Sequence, residues 1–189
     1  MSLSKIFCTS EIGLLKKVIV HRPDMGISRI SPKDAEELLF DDIVFLPQMQ
    51  KEHDIFTDVL KAFIGDENVL FIADLLEESL TADEIKKAEL IRMIVDYEEL
   101  PASFGNIFHR LDNKKLAEVL ITGYYEEEDH YFFDPIPNFI FTRDIAVVVK
   151  DHVIITKAAK EARFRENFLA RFIFWAHPYF CTLYDQQKI

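Results

Sequence analysis

The densest group of chemically capable side chains lies between positions 138 and 166. Asn138, Thr142, Arg143 and Asp144 stand where apolar segments end, and Arg163 and Glu166 open the last long helical pattern. A carboxylate at a strand end is a natural partner for a planar cation, because paired N–H···O bonds to a guanidinium give both energy and orientation. Asp144 is therefore a candidate for gripping such a cation. Its plainer alternatives are fixing a turn or pairing with Arg143. Arg163 has an equally plain reading as a helix surface residue paired with Glu166, three positions on.

Other chemistries lack their residues. His21, His53, His109, His130, His152 and His177 are scattered, with no pair at the i, i+4 spacing of a zinc helix, so no metal site is expected. Neither a Gly-x-Ser-x-Gly elbow nor a glycine-rich phosphate loop occurs. Cys8 and Cys181 form no Cys-x-x-Cys pair and are expected to be free thiols of a reducing compartment. A cysteine nucleophile needs a lowered pKa and a nearby base. Cys8 falls in an N-terminal segment expected to be mobile and Cys181 follows an aromatic helix end, so neither has an activating partner in sequence.

The elements that must position these residues are those of an α/β chain. Lys16–His21 is a β-branched run stopped by Arg22-Pro23-Asp24, which predicts a first buried strand. Beyond Pro47, Phe56, Val59, Leu60 and Phe63 recur at spacings of three and four and predict an amphipathic helix ending near Gly65. Val69–Ile72 reads as a second strand, and strand-helix-strand alternation argues for an α/β unit. From Leu75 to Gly123 strand signals vanish. A capping box at Thr81–Glu84 and a helix from Asp112 to Gly123 predict a helical insertion, followed by the acidic run Glu126–Asp129 as a solvated loop. Strand patterns return at Phe139–Phe141, Ala146–Val149 and Val153–Thr156, and Lys160–Trp175 predicts a long helix with Ala162, Leu169, Phe172 and Ile173 inward.

Composition narrows the class of partner. The 189 residues carry 33 acidic and 22 basic side chains, a net charge of −11 that supplies no face for nucleic acid. Hydrophobic residues make up 49%, too many for disorder, yet no apolar run approaches the roughly 20 residues of a membrane helix. Met1–Ser10 lacks the apolar core of a signal peptide, so a cytoplasmic location is expected. Only five glycines occur where average usage gives about 13, fewer than sites built on tight turns usually need.

Taken together, four segments resemble the arginine deiminase family. They are Ser10-Glu11-Ile12-Gly13 leading into Lys16-Lys17-Val18; Glu37-Leu38-Leu39-Phe40-Asp41-Asp42-Ile43; Asn138-Phe139-Ile140-Phe141-Thr142-Arg143-Asp144; and Ala162-Arg163-Phe164-Arg165-Glu166. Each is weak alone, but their order and separation are specific, and the resemblance runs from about Ser10 to Pro178. It implies part of a five-bladed α/β propeller of ββαβ units: a first unit over 1–74, a helical insertion and acidic loop over 75–134, and a second unit over 135–189 completed by downstream sequence.

The same resemblance implies hydrolysis of L-arginine to L-citrulline and ammonia, with no metal or organic cofactor. Asp144 would be the catalytic residue, gripping the guanidinium nitrogens. Arg163 would clamp the α-carboxylate, Asn138 would orient the α-substituents, and Phe141 would pack on the guanidinium or its stem. Glu11 and Leu39 would complete the pocket. The family's Glu-Gly-Gly-Asp motif, His-x-Asp motif and nucleophilic cysteine belong downstream of Ile189, which would explain the few glycines and makes the 189 residues alone an inactive N-terminal portion. An amidinotransferase using the same grip, and a non-catalytic arginine-binding protein, are the other readings. A homo-oligomer is expected.

Overall fold

A β-branched run too short to pair with itself needs a partner, and in the computed structural model, which describes residues 6–30, 35–40 and 44–189, strand β1 (Val18–Val20) finds one in β2 (Val69–Phe71). The two are parallel, with Val18 opposite Val69 and Val20 opposite Phe71. Parallel neighbours require a crossover. It contains two short helices, α1 (Met25–Ser28) and α2 (Ala35–Leu38), and a long one, α3 (Leu46–Ile64). Pro47 lies in the first turn of α3, where its missing N–H costs nothing, and Gly65 ends it at a positive φ of 87°. Phe56, Val59 and Phe63 face outward, Phe63 being 84% exposed, while Leu46 and Thr57 are buried. The apolar stripe of α3 is thus left uncovered.

Four helices follow, α4 (Ile72–Ala82), α5 (Glu84–Tyr97), α6 (Ser103–Arg110) and α7 (Asn113–Thr122). The cap between α4 and α5 differs from expectation. Asp83 accepts from the N–H groups of Ile85 and Lys86, both at 3.0 Å, while Thr81 lies inside α4 and donates to Glu77 O. Leu75, Leu76 and Leu80 carry α4 past Thr81, and the extended backbone of Asp83 breaks it. The expected ends of α7 hold: Asp112 caps it through Lys115 N–H at 2.9 Å, and Gly123 closes it at φ 72°. A Cβ at Gly123 would lie 1.9 Å from Phe133 O, so no other residue fits. The acidic run is exposed, as one 3-10 turn over Glu126–Glu128 between β3 (Tyr124–Tyr125) and β4 (His130–Tyr131).

The C-terminal part corrects two expectations. Phe139–Phe141 is not a strand: Pro137–Ile140 forms a 3-10 turn, because Pro137 fixes φ without a donor and Phe139 is drawn fully into the core against the His21 ring. Cys8 is not loose, since its backbone exchanges hydrogen bonds with Lys150 at 2.9 and 2.7 Å. After the turn come a short helix α8 (Thr142–Ile145), the antiparallel hairpin β5 (Ala146–Val149) and β6 (His152–Ile155), a 3-10 turn at Glu161–Arg163, then α9 (Phe164–Ala176) and α10 (Cys181–Asp185). α7 and α9 both pack on α4, whose Leu76 and Leu80 are fully enclosed with Leu116, Leu120 and Leu169. The architecture is mixed α/β and mostly helical, with three two-stranded sheets and no closed propeller among the described residues. No described helix is long and apolar enough to cross a membrane.

A buried cation ties this packing together. Arg165 on α9 donates from Nε to Leu120 O at 3.2 Å and from its terminal nitrogens to Glu98 and to Asp134 O, with the Phe133 ring 4.2 Å from its Cζ. Burial lowers its pKa from the ordinary value, opposed by the charge and hydrogen bond of Glu98. Truncating one member of a buried pair leaves the other uncompensated. Arg165→Ala should therefore lower unfolding free energy by about 3–5 kcal/mol in urea titrations, against less than about 0.5 kcal/mol for the exposed Arg92→Ala.

A second test uses pH. The Tyr125 hydroxyl donates to Glu127 at 2.6 Å, and that bond, with burial and the carboxylate charge, pushes the phenol up to about 12. A raised pKa contributes stability that is complete below the unfolded phenol's value near 10 and is lost as pH rises through the folded value. Ultraviolet titration of Tyr125→Phe should lose a late-ionising phenol that the parent shows.

Candidate functional site

The site residues are positioned by the turn before α8 and by the entry to α9. Pro137 starts the turn, Asp144 N–H closes on Phe141 O at 2.9 Å, and the Thr142 hydroxyl donates to Ile19 O at 3.0 Å, fastening α8 to β1. The Thr156 hydroxyl donates to Asp144 O, and Thr156 N–H to Ile145 O at 3.1 Å, so the residue that follows β6 holds the same segment. Asp144 is thereby fixed through its backbone, while its side chain stays 52% exposed.

Arg163 meets Asp144 across this junction, its Nη1 donating to Asp144 Oδ2 at 3.0 Å. Its other edge faces Glu166: Nε lies 3.0 Å and Nη2 2.8 Å from Oε2, with Oε1 at 3.2 Å from Nε. The pairing of Arg163 with Glu166 expected from the sequence is present, and the same guanidinium also reaches Asp144. Burial works against the charged Arg163, yet hydrogen bonding and charge from Glu166, then Asp144, hold its pKa above the ordinary value. Burial likewise pushes the Glu166 carboxyl up, partly offset by Arg163.

The other candidates lie at the end of α2, in the turn before α8 and in the N-terminal segment. Asn138 is buried and donates from Nδ2 to Leu38 O at 2.7 Å, linking the turn to α2. Leu39 follows α2 with φ 56°, a left-handed backbone uncommon for a branched apolar residue, and its side chain is exposed. Phe141 is half exposed within the same turn as Asp144. Glu11 pairs with Arg143 at 2.6 Å on the surface, which takes Arg143 away from the role of Asp144's partner. Of the motif 37–43, Asp41, Asp42 and Ile43 lie outside the described residues.

The sequence marked Glu166 as a partner of Arg163 but not as a buried residue, and it gave Arg165 no role of its own. Glu166 is only 1% exposed, and Arg165 is as deeply enclosed. A signal for both existed: Glu166 precedes Leu169 and Ile173 by three and seven positions, and Arg165 precedes Leu169 and Phe172 by four and seven, which puts both on the apolar stripe of α9.

The model of one family, arginine deiminase, matches residues 36–126 and 103–187. The arginine deiminase of Mycolicibacterium gilvum (strain PYR-GCK) is 31% identical over 201 residues, covering 95% of this chain and 50% of that protein. That of Listeria monocytogenes serotype 4a (strain HCC23) is 33% identical over 191 residues, covering 91% and 46%, and that of Rhodococcus erythropolis (strain PR4 / NBRC 100887) is 31% identical, covering 90% and 47%. The chain spans about half the length of the curated relatives it matches.

The link between the turn and α2 makes a local prediction. Asn138→Ala deprives the Leu38 carbonyl of its side-chain donor at a buried residue, and should cost about 1–3 kcal/mol in chemical denaturation. It should also raise hydrogen exchange in the turn Pro137–Ile140 before the helices α4–α7.

Proposed function

The chain belongs to the arginine deiminase family, matching its N-terminal portion, and from that premise we propose that it supplies the substrate-gripping part of a guanidine hydrolase. L-arginine and water become L-citrulline and ammonia, by cleavage of a C–N bond of a linear amidine. A cysteine thiolate outside these 189 residues attacks the guanidinium carbon, and a histidine delivers the proton with which ammonia leaves. Water then adds to the resulting thiouronium carbon and the C–S bond breaks, returning the thiolate. Neither cysteine here is assigned that role: the Cys8 thiol faces Ser10 O and the Cys181 thiol faces Pro178 O, each at 3.7 Å.

Within the chain, Asp144 holds the guanidinium nitrogens and keeps the planar cation in line for attack. Arg163 holds the α-carboxylate, Asn138 orients the α-substituents, Phe141 packs on the guanidinium or its stem, and Glu11 and Leu39 complete the pocket. One observation carries this reading: the half-exposed Asp144 carboxylate already bears a guanidinium, that of Arg163 at 3.0 Å. We place the chain as two units of a five-bladed propeller, over 1–74 and 135–189, around a helical insertion over 75–134. The open edges of the β1–β2 and β5–β6 pairs support that placement. A cytoplasmic homo-oligomer without metal or organic cofactor goes with the reading, and the uncovered stripe Phe56, Val59 and Phe63 supports self-association.

The test is kinetic. The 189 residues alone should form no citrulline above buffer, and joining them to a family C-terminal portion should restore turnover. In that complete enzyme Asp144→Asn should lower kcat/KM by about 10² or more, roughly 3 kcal/mol of transition-state stabilisation. Near-normal turnover in the variant would return Asp144 to a turn-forming role.

A further inference from the structure

The guanidinium of Arg163 is shared unequally. Its Nε/Nη2 edge lies on Glu166, a carboxylate 1% exposed, whereas its Nη1 alone reaches Asp144, which is 52% exposed. Taking Arg163 off Glu166 would strand a charge inside the protein, an outcome far more costly than losing a contact in solvent. Taking it off Asp144 leaves a carboxylate that water already reaches. One contact is therefore permanent and the other exchangeable.

We infer that Glu166 is a positioning residue, which anchors Arg163 while Arg163 trades Asp144 for the carboxylate of an incoming amino-acid ligand. This rests on the arginine-binding reading above. Before binding, the Arg163 guanidinium stands on Asp144 as a substrate guanidinium would. L-arginine brings both halves of the exchange, a guanidinium to take Asp144 and an α-carboxylate to take the Nη1 edge of Arg163. Charge is matched throughout. One guanidinium between two carboxylates leaves a single negative charge, and zwitterionic L-arginine with its protonated side chain carries a single positive one. A ligand with the guanidinium but no carboxylate can displace Arg163 from Asp144 but gives the freed edge nothing to hold.

Calorimetry on the 189-residue chain with L-arginine and with agmatine, which lacks the carboxylate, separates the roles. The parent should bind L-arginine more tightly than agmatine. Glu166→Gln should weaken L-arginine by about tenfold while changing agmatine less than about twofold, because only the fork of Arg163 is lost. Glu166→Asp, which keeps the charge on a shorter stem, should give an intermediate loss for L-arginine alone, and serves should the glutamine variant fail to fold. Asp144→Asn should weaken both ligands. The Arg163 Nε–H resonance in proton–nitrogen NMR gives a readout independent of ligand: slow exchange in the parent and in Asp144→Asn, fast exchange in Glu166→Gln.

Equal weakening of both ligands by the Glu166 variants, no effect on either, or a still-protected Nε–H in Glu166→Gln would overturn the inference. A parent chain that binds neither ligand would instead overturn the arginine-binding reading. The Nε–H result alone then decides whether Glu166 anchors Arg163, and loss of protection in Glu166→Gln is the outcome that supports it.

Discussion

The structure depends on one buried cation. Arg165 draws together Glu98 at the end of α5, the last turn of α7 through Leu120 O, and the segment that leads to the site through Asp134 O. A guanidinium that far from water is tolerable only when its donors are all answered, so α5, α7 and the 133–134 segment must meet at one point. That requirement also sets the rotation of α9. With Arg165 turned toward the helices, its neighbour Glu166 is turned inward beside it, and Arg163, three residues earlier, is brought over Glu166 and out to Asp144. Packing of α5 and α7 thus reaches the candidate site through two adjacent residues of α9.

The site itself is a balance of charges in two environments. Asp144 is held by its backbone, between Phe141 O and the Thr156 hydroxyl, and leaves its carboxylate free to meet whatever cation is present. Glu166 is held by its burial. Arg163 joins the two, and the difference in solvent exposure between its partners decides which contact can be surrendered. A carboxylate pair of equal exposure would give no such order, and a lysine in place of Arg163 could not serve both at once, since it lacks the planar fork.

Much of this was legible in the sequence where local rules and tertiary packing agree. β1, α3, β2, α7, the β5–β6 hairpin and α9 follow from β-branched runs, helical spacing, Pro47, Asp112 and Gly123. Thr81 misled because a capping box is a local signal, and the leucines of α4 carried the helix past it. Phe139–Phe141 misled because three apolar residues fit a strand or a buried turn equally well, and Pro137 with the Asn138 side chain decided for the turn. The pairing of Asp144 with Arg163 spans 19 residues and two elements, so spacing could not show it, and family resemblance gave only the roles. Glu166 was legible as a partner but not as a buried one, although its register with Leu169 and Ile173 carried that information.

The central claim is that Asp144 and Arg163 are matched to the two ends of one ligand. A crystal structure of the 189-residue chain grown with L-arginine tests it most directly. The account predicts the ligand guanidinium on Asp144, its α-carboxylate on Nη1 of Arg163, and the Arg163–Glu166 contacts unchanged. L-arginine bound elsewhere, with the Asp144–Arg163 contact intact, would contradict it.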